Sequence, residues 1–267
     1  MHVHRWCRLA GLALVLTGFA VLAGLAASRL NAAEPDQGFS TVIQPNFTGE
    51  ELRAHQDPWA LDVSLKPMRM VFVPTTNSRT GAKSSEMIWY LVYKVVRHPV
   101  VKPPERADSS PVNVQDAPPP PMCVPRATLV IEDRDIHRGA IADSIVPEAL
   151  PVIAAREHLD LKTSVQMSGP LPKLTAADAK QENAEYGVFM FRGVDPRTTA
   201  FSVYLSGFSN AYKIGKDESG KSLFLRRTIF VPYRRFGDQY DQFEKEIRQT
   251  GATKWIYVPD EAAVAAK

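Results

Sequence analysis

The segment that most restricts the fold is residues 87–96, which read MIWYLVYKVV. Nearly every position is apolar or aromatic, so the segment leaves no polar face for solvent. Ten residues rich in Trp, Tyr and Val favour a strand over a helix, and the lack of alternation indicates burial on both faces. We therefore expect a central strand with other layers packed against each side.

The remaining chain carries short strand patterns separated by turn signals. Residues 65–73 precede the central strand across a polar loop, which predicts a long hairpin. Residues 201–206 (FSVYLS) alternate apolar and polar side chains, as is typical of a half-exposed antiparallel strand. Pro232 is predicted to mark a strand end or an edge. Further strands are predicted at residues 127–132, 162–167, 186–192, 211–214, 223–231 and 255–258.

Helical signals are few and short. Residues 146–158 predict a helix that Pro151 keeps short, and Thr175 is expected to cap a helical turn over residues 175–182. A third helix is predicted from the spacing of Tyr240, Phe243 and Ile247, ending at Gly251. With about eight strands and no regular β-helix-β alternation, the fold class is mainly β: an antiparallel immunoglobulin-like sandwich with two or three short helices, preceded by an N-terminal apolar helix.

The amino terminus carries an export signal. An uncharged stretch begins at Leu9 and ends at Ala27, with Arg5 and Arg8 before it and small residues after it. A charged start, an apolar middle and a small-residue cleavage site predict a signal peptide. The stretch is also close to the roughly 20 residues that span a bilayer, so an uncleaved membrane anchor is the alternative. Both place the bulk of the chain outside the cytoplasm, in the periplasm, the cell envelope or the medium.

These patterns divide the chain. We assign residues 1–33 to the signal peptide or anchor, 34–60 to an irregular tether or an arm laid on the domain, and 61–259 to a single β-rich domain. Within that domain, residues 98–125 hold nine of the 21 prolines, which predicts an extended insertion. Residues 260–267 are an alanine-rich tail that we expect to be frayed.

The charge balance argues against one class of partner, and the cysteine content argues against an internal disulfide. The formal net charge is +3, but residues 1–33 contain three arginines and no acid, so 29 basic residues face 29 acidic ones in the rest of the chain. A balanced, exported domain argues against nucleic acid as a partner. Cys7 belongs to the export segment, so Cys123 is the one cysteine in the rest of the chain. No disulfide can therefore form within the β-rich domain.

Six strings together resemble a group of uncharacterised exported β-rich proteins of planctomycete bacteria. They are MIWYLVYKV, IVPEALPVIAARE, VDPRTTAFSVYLSGFSNAY, RRT, GDQYDQFEKEIR and KWIYV, and the resemblance covers roughly residues 65–258. The resemblance implies an exported β-rich domain. Because that group has no established activity, it implies no catalytic residue. The string MIWYLVYKVVRHP also resembles a core strand of immunoglobulin-like domains.

Ser209 is the strongest candidate nucleophile, because the string GFSNA follows a predicted strand and partly matches a nucleophile elbow. A hairpin is predicted after it where a helix is needed, and no histidine follows His158. We therefore expect Ser209 to occupy a tight turn.

Metal sites and carboxylate pairs are weakly supported. His55, His98, His137 and His158 are not paired at ligand spacing. Glu132, Asp133 and Asp135 are expected to form a solvated turn, because they lack the oxygen spacing of a calcium loop. Asp238, Asp241 and Glu244 could supply a carboxylate pair, but the last two fit a helix face.

The pairs Arg226-Arg227 and Arg234-Arg235 could suit an anionic polymer. On a strand, however, each pair presents one arginine to each face. We assign no catalytic, cofactor or metal residue and expect a non-catalytic structural or partner-binding domain of the cell envelope, with an unknown protein or envelope component as partner. Exposed aromatics such as Tyr204, Tyr212 and Tyr257 are expected on one face. The alternative is an extracytoplasmic hydrolase whose site is too scattered to recognise.

Overall fold

A computed structural model describes residues 38–55, 57–76, 79–100, 121–133, 139–176, 178–237 and 247–259. Strands dominate these residues, and only two helices accompany them. The chain is therefore mainly β, as the sequence predicts.

The first sheet has the strand order β1-β2-β4-β10-β8, and β3 also pairs with β4. All its pairs are antiparallel except β8 with β10, which is parallel. The strands are β1 (Thr41–Ile43), β2 (Asp62–Leu65), β3 (Arg69–Thr76), β4 (Lys83–Val96), β8 (Lys162–Thr163) and β10 (Glu185–Phe191).

The second sheet has the order β12-β13-β11-β6-β7 and is antiparallel throughout, with β14 and β15 on the other edge of β13. Its strands are β6 (Arg126–Ile131), β7 (Ala140–Ala142), β11 (Ala200–Ser206), β12 (Tyr212–Lys216), β13 (Ser222–Arg235), β14 (Ile247–Gln249) and β15 (Lys254–Pro259). A small separate pair joins β5 (Met122–Cys123) to β9 (Gly169–Pro170).

The central strand is β4, as predicted. Trp89, Leu91 and Tyr93 belong to one buried cluster, and Ile88, Tyr90 and Val92 belong to another on the opposite face. The second cluster includes Ile153 of helix α2 (Ala149–Glu157), which covers the outer face of the first sheet. The uninterrupted apolar run is thus explained by burial on both faces.

The first cluster joins the two sheets. It contains Phe189 and Trp89 from the first sheet together with Phe201, Val203 and Val231 from the second. The rings of Trp89 and Phe201 meet edge to face with their centroids 5.2 Å apart. The two sheets therefore face each other across one shared hydrophobic core.

The predicted strand over residues 65–73 is instead two strands separated by a β-bulge. Leu65 lies opposite Tyr93 and Arg69 lies opposite Tyr90, so four steps on one strand match three on β4. The extra residue falls within Lys66–Met68, after the Lys66 N–H has donated to the Val92 carbonyl at 3.0 Å, and it brings Arg69 to the same face as Lys66. The predicted hairpin with β4 is present, through β3.

Residues 41–54 depart from the irregular segment predicted for 34–60. They contain β1 and helix α1 (Gly49–Ala54), which Thr48 caps by accepting from the Glu51 N–H at 3.2 Å. The Glu51 carboxylate accepts from the Thr48 N–H at 2.7 Å, which completes a capping box. This part of the chain is therefore an arm folded onto the domain.

Three other local predictions need correction. The described residues of 175–182 form no helix, and the Thr175 hydroxyl accepts from the Asn183 N–H at 2.9 Å. Of the third predicted helix, Tyr240 and Phe243 lie outside the described residues, and its expected end at Ile247 is strand β14. Pro232 does not end β13, but its missing N–H faces the interruption between β14 and β15, which is locally an edge. Helix α2 and the hairpin of β12 with β13 form as predicted.

The predicted apolar N-terminal helix, most of the proline-rich insertion and the tail lie outside the described residues. Where the insertion ends, Met122 and Cys123 form β5. Among the described residues, no helix is long and apolar enough to cross a membrane.

Candidate functional site

A cavity of about 550 Å³ lies on the outer face of the second sheet, opposite the shared core. Its floor is made by side chains that alternate with core residues, and its walls are mostly apolar. We call it the cross-sheet groove. The floor contains Thr128, Val130, Tyr204, Ser206, Arg226 and Thr228, and the walls contain Val124, Pro125, Val165 and Val258.

The groove crosses the strands rather than following one. Its lining residues come from β7, β6, β11, β13 and β15, which are successive neighbours in the sheet. Four inter-strand spacings of about 4.8 Å give a floor about 19 Å long. Such a length and volume suit a drug-sized molecule or a short polymer segment.

Tyr204 lies near the middle of the floor, between Thr128 of β6 and Phe230 of β13. Its ring meets that of Phe230 edge to face at 5.3 Å. Burial, followed by the charge of Glu132, raises the pKa of Tyr204, so the phenol stays neutral and can donate a hydrogen bond.

Asp143 forms part of one wall, but both of its carboxylate oxygens already accept hydrogen bonds from the protein. One carboxylate oxygen accepts from the Met190 N–H at 2.7 Å, and the other accepts a short hydrogen bond from the Ser164 hydroxyl. Burial raises the pKa of Asp143 although these bonds oppose the rise. Asp143 therefore fastens the turn carrying Val165 to the first sheet and shapes the wall.

Besides the Tyr204 phenol, two floor hydroxyls carry no hydrogen bond among the described residues. Within the described part of the chain, Thr128 and Ser206 make no side-chain hydrogen bond, although both line the groove. Arg126 lies on the rim, opposite Ser206 in the ladder, and is exposed. These groups give an otherwise apolar groove a polar strip along its floor.

Ser209 occupies a turn, as expected. It is buried, its hydroxyl donates to the Trp59 carbonyl at 3.1 Å, and it accepts from the Ala211 N–H at 3.2 Å. Asn210 bonds the same segment, accepting from the Trp59 N–H at 2.8 Å. Ser209 is thus engaged in holding residues 59–60 against the turn before β12.

The described histidines lie apart. His55 accepts from the Tyr212 N–H at 3.3 Å, and burial lowers the pKa of its imidazole. His98 bonds the Asp62 carboxylate at 2.6 Å. His158 ends α2 in the left-handed conformation with φ of 55°. His137 lies outside the described residues, and among those described no group of three His, Cys, Asp or Glu could hold a metal.

The acidic cluster is used in hydrogen bonds. Asp133 accepts from the Thr199 N–H at 2.8 Å and hydroxyl at 2.6 Å. Burial would raise the pKa of Asp133, but these bonds and that from Ala200 outweigh it and lower the pKa. Glu132 accepts from the Ser202 hydroxyl at 2.5 Å. Asp135, Asp238, Asp241 and Glu244 lie outside the described residues.

The paired arginines face opposite sides of β13, as the strand period predicts. Arg226 lines the groove, whereas Arg227 is 2% exposed on the other face. The Arg227 guanidinium lies between the rings of Phe47 and Trp255, at 4.8 and 4.6 Å from their centroids. Arg235 is also buried and donates to the Pro196 carbonyl at 2.6 Å.

Arg227 also anchors the arm. Its Nη2 donates to the Asn46 carbonyl at 2.7 Å, and its Nε lies 3.7 Å from the Glu51 carboxylate. Glu51 further accepts a short hydrogen bond from the Tyr257 hydroxyl. We call Arg227, Glu51 and Tyr257 the arm clamp.

A second buried charged cluster has no counterpart in the sequence predictions. The Glu157 carboxylate of α2 accepts from Lys66 at 2.9 Å, Arg69 at 2.8 Å and the Tyr90 hydroxyl at 2.8 Å. These residues are up to 91 positions apart, so no local spacing could reveal the cluster. Pro67, which interrupts the strand pattern of residues 65–73, is the local sequence feature that lies beside the cluster.

Only two of the three predicted aromatics share a face of the second sheet. Tyr204 lines the groove, and Tyr212 lies opposite Arg226. Tyr257 lies opposite Arg227, so it points to the other side of the sheet. Cys123 is buried, donates to the Gly207 carbonyl at 3.4 Å, and has its pKa raised to about 12 by burial. Its thiol is therefore an unreactive core group.

The comparisons with known proteins return no family model, curated protein or solved structure that matches this chain. The groove, with its apolar walls and unbonded floor hydroxyls, is the feature of the described residues that suggests a function.

Proposed function

We propose that this chain is an exported, non-catalytic partner-binding domain of the cell envelope and that the cross-sheet groove holds its partner. The apolar stretch from Leu9 to Ala27 supports export, as a cleaved signal or as a membrane anchor. We further propose an immunoglobulin-like sandwich, which the core shared by the two sheets supports. The partner would be a protein or another envelope component.

The groove is the observation that carries the proposal. It combines mostly apolar walls with a central tyrosine and with floor hydroxyls that carry no hydrogen bond among the described residues. Concave sites of this size and mixed lining are typical of binding sites. The candidate nucleophile of the hydrolase alternative, Ser209, is engaged in two hydrogen bonds within a turn.

Site-specific photo-crosslinking tests this proposal. We would replace Val165, which is 68% exposed on the groove wall, by p-benzoylphenylalanine in the full chain and irradiate intact host cells. The matched control position is Val152, a valine that is 41% exposed on helix α2, which packs against the first sheet. A discrete adduct at position 165 that is absent at position 152 is expected. Equal labelling at both positions, or none at 165, would overturn the proposal.

The export step has its own test. The mass of the chain recovered from the host envelope should correspond to a start near residue 34 if the signal is cleaved, or to the full chain in the membrane fraction if it is an anchor. Recovery of the full chain in the cytosolic fraction would contradict both forms of the proposal.

A further inference from the structure

We propose that the groove binds an extended polypeptide segment that carries an acidic side chain. This inference rests on the proposed function and specifies the chemical class of the partner. Three observations carry it: the unused hydroxyls, their spacing and the charge of the rim.

The unused hydroxyls favour a polar backbone over a hydrocarbon chain. Thr128 and Ser206 have no side-chain hydrogen bond within the described residues, and both face the groove. An acyl chain covering them would displace the water that solvates the hydroxyls without forming a hydrogen bond to them. This desolvation would weaken binding. Every residue of a peptide carries a donor and an acceptor in its backbone, apart from proline.

The spacing of the two hydroxyls matches an extended segment. Thr128 lies opposite Tyr204 and Ser206 lies two residues further along β11, so the two are diagonal neighbours on one face. Diagonal pairs on adjacent strands are about 7–8 Å apart. Groups on one side of an extended chain repeat about every 6.8 Å, so alternate backbone groups can reach both hydroxyls.

The rim supplies the charge complementarity. Arg126 is exposed beside Ser206 and has no ion pair within the described residues. Asp143, the acidic residue lining the groove, has both carboxylate oxygens engaged by Ser164 and Met190. The lining holds two arginines, Arg126 and Arg226, against this one carboxylate, so it is net positive, and an acidic side chain close to the backbone bonded at Ser206 would lie against Arg126. At about 3.3 Å per residue, the 19 Å floor accommodates about six residues.

A peptide selection tests the inference. A phage-displayed library of random heptapeptides is selected against the immobilised full chain, and the enriched sequence is synthesised with a fluorescent label. We expect an enriched sequence with apolar residues and at least one Asp or Glu. The double variant Thr128→Val/Ser206→Ala should weaken binding of that peptide about tenfold or more, because two hydrogen bonds are lost.

Matched controls separate the groove from general effects. The double variant Thr76→Val/Ser85→Ala changes the same residue types at exposed positions on the hairpin of the first sheet and should leave the affinity unchanged. Arg126→Gln should lower the affinity several-fold and reduce its dependence on salt, since Arg226 still lines the groove. A peptide N-methylated at alternate residues should bind at least tenfold more weakly, since its backbone donors are blocked.

Other outcomes overturn the inference. Dodecanoate or maltohexaose binding in the groove, with no peptide enriched, would assign the groove to an amphiphile or a sugar. Peptide binding that Thr128→Val/Ser206→Ala does not affect would place the site elsewhere. If no probe binds while the adduct at position 165 persists, the peptide class is wrong and the partner site still stands; if the adduct is also absent, both proposals fail.

Discussion

Gly187 lies directly under the ring of Tyr93. The two residues are opposite each other in the ladder between β10 and β4, and a Cβ at Gly187 would lie 2.3 Å from the Tyr93 ring. Tyr93 is held from its other sides by stacking on Phe189 at 4.5 Å and by the edge of Phe208 at 5.5 Å. The ring therefore has no room to give way.

Gly187→Ala should lower the free energy of unfolding by about 3 kcal/mol, because it overpacks a closed part of the core. Urea denaturation followed by tryptophan fluorescence measures the change. Gly139→Ala is the control, since its Cβ would meet no described residue within 4 Å and should change the stability little. Similar stabilities for the two variants would contradict the packing described around Tyr93.

The Glu157 carboxylate forms ion pairs with buried Lys66 and with half-buried Arg69. Its side chain is 1% exposed, and its removal would leave Lys66, itself 7% exposed, without a counter-charge. Burial alone would raise the pKa of Glu157, but the bonds from Lys66 and Tyr90 and the charge of Arg69 outweigh it and hold the pKa below the ordinary 4.5.

Glu157→Gln should cost about 3 kcal/mol of stability at pH 7, as expected when one partner of a buried ion pair is removed. Because the folded-state pKa is depressed, the stabilisation is complete above pH 4.5 and is lost as the pH falls through the folded value. Urea denaturation at several pH values should therefore show the two proteins converging in acid.

Glu182→Gln is the control for that measurement. Glu182 pairs with Lys94 at 3.1 Å but is half exposed, so its loss should cost less than about 1 kcal/mol. If Glu157→Gln were as mild as Glu182→Gln at pH 7, the buried ion pair would not contribute as described.

Helix α1 has six residues, too few to be stable in isolation, so the contacts of the arm must hold it. The arm clamp supplies them, because Glu51 closes the capping box and also meets Arg227 and Tyr257. Its neighbour Glu50 has a side chain that is 77% exposed and lies 3.9 Å from Lys213.

Glu51→Ala should release α1, whereas Glu50→Ala should not. Hydrogen exchange of residues 49–55, read by mass spectrometry, should speed up at least tenfold in the first variant and remain near the original rate in the second. Equal protection in the two variants would show that the clamp does not hold the arm.

Elements with a strong local pattern were predictable from the sequence. The apolar run of β4, the alternation of β11 and the apolar stripe of α2 each depend on neighbours in the chain. The sequence could not decide between a tether and an arm for residues 34–60, because the polar residues there find their partners about 180 positions away, as Asn46 does in Arg227. The bulge at Lys66 was missed for a similar reason, since it exists only relative to β4.

The groove could be predicted least of all. The alternation of residues 201–206 places Tyr204 and Ser206 on the face away from the core. These two side chains are the part of the floor that β11 contributes. The rest comes from four other strands whose order in the sheet no local pattern specifies. A site made across strands is a property of the sheet order, not of any motif.

The shared core predicts how the β domain unfolds. Residues from both sheets form one cluster, so separating the sheets would expose the apolar layer between them, even though the first sheet keeps its second cluster against α2. Urea unfolding followed by far-ultraviolet circular dichroism and by tryptophan fluorescence should therefore give coincident transitions. Phe201→Ala should shift both together, by about 3–5 kcal/mol. Two separate transitions would mean that the sheets are independent units.

Strand β13 places the groove and the arm clamp one residue apart. Arg226 faces the groove and Arg227 faces the clamp, because successive side chains on a strand point to opposite sides. Inserting or deleting one residue upstream within β13 would exchange the two faces and abolish both surfaces at once. Related sequences with the same two surfaces should therefore tolerate substitutions on either face of β13, but should confine changes of length to the hairpin tip at residues 217–221.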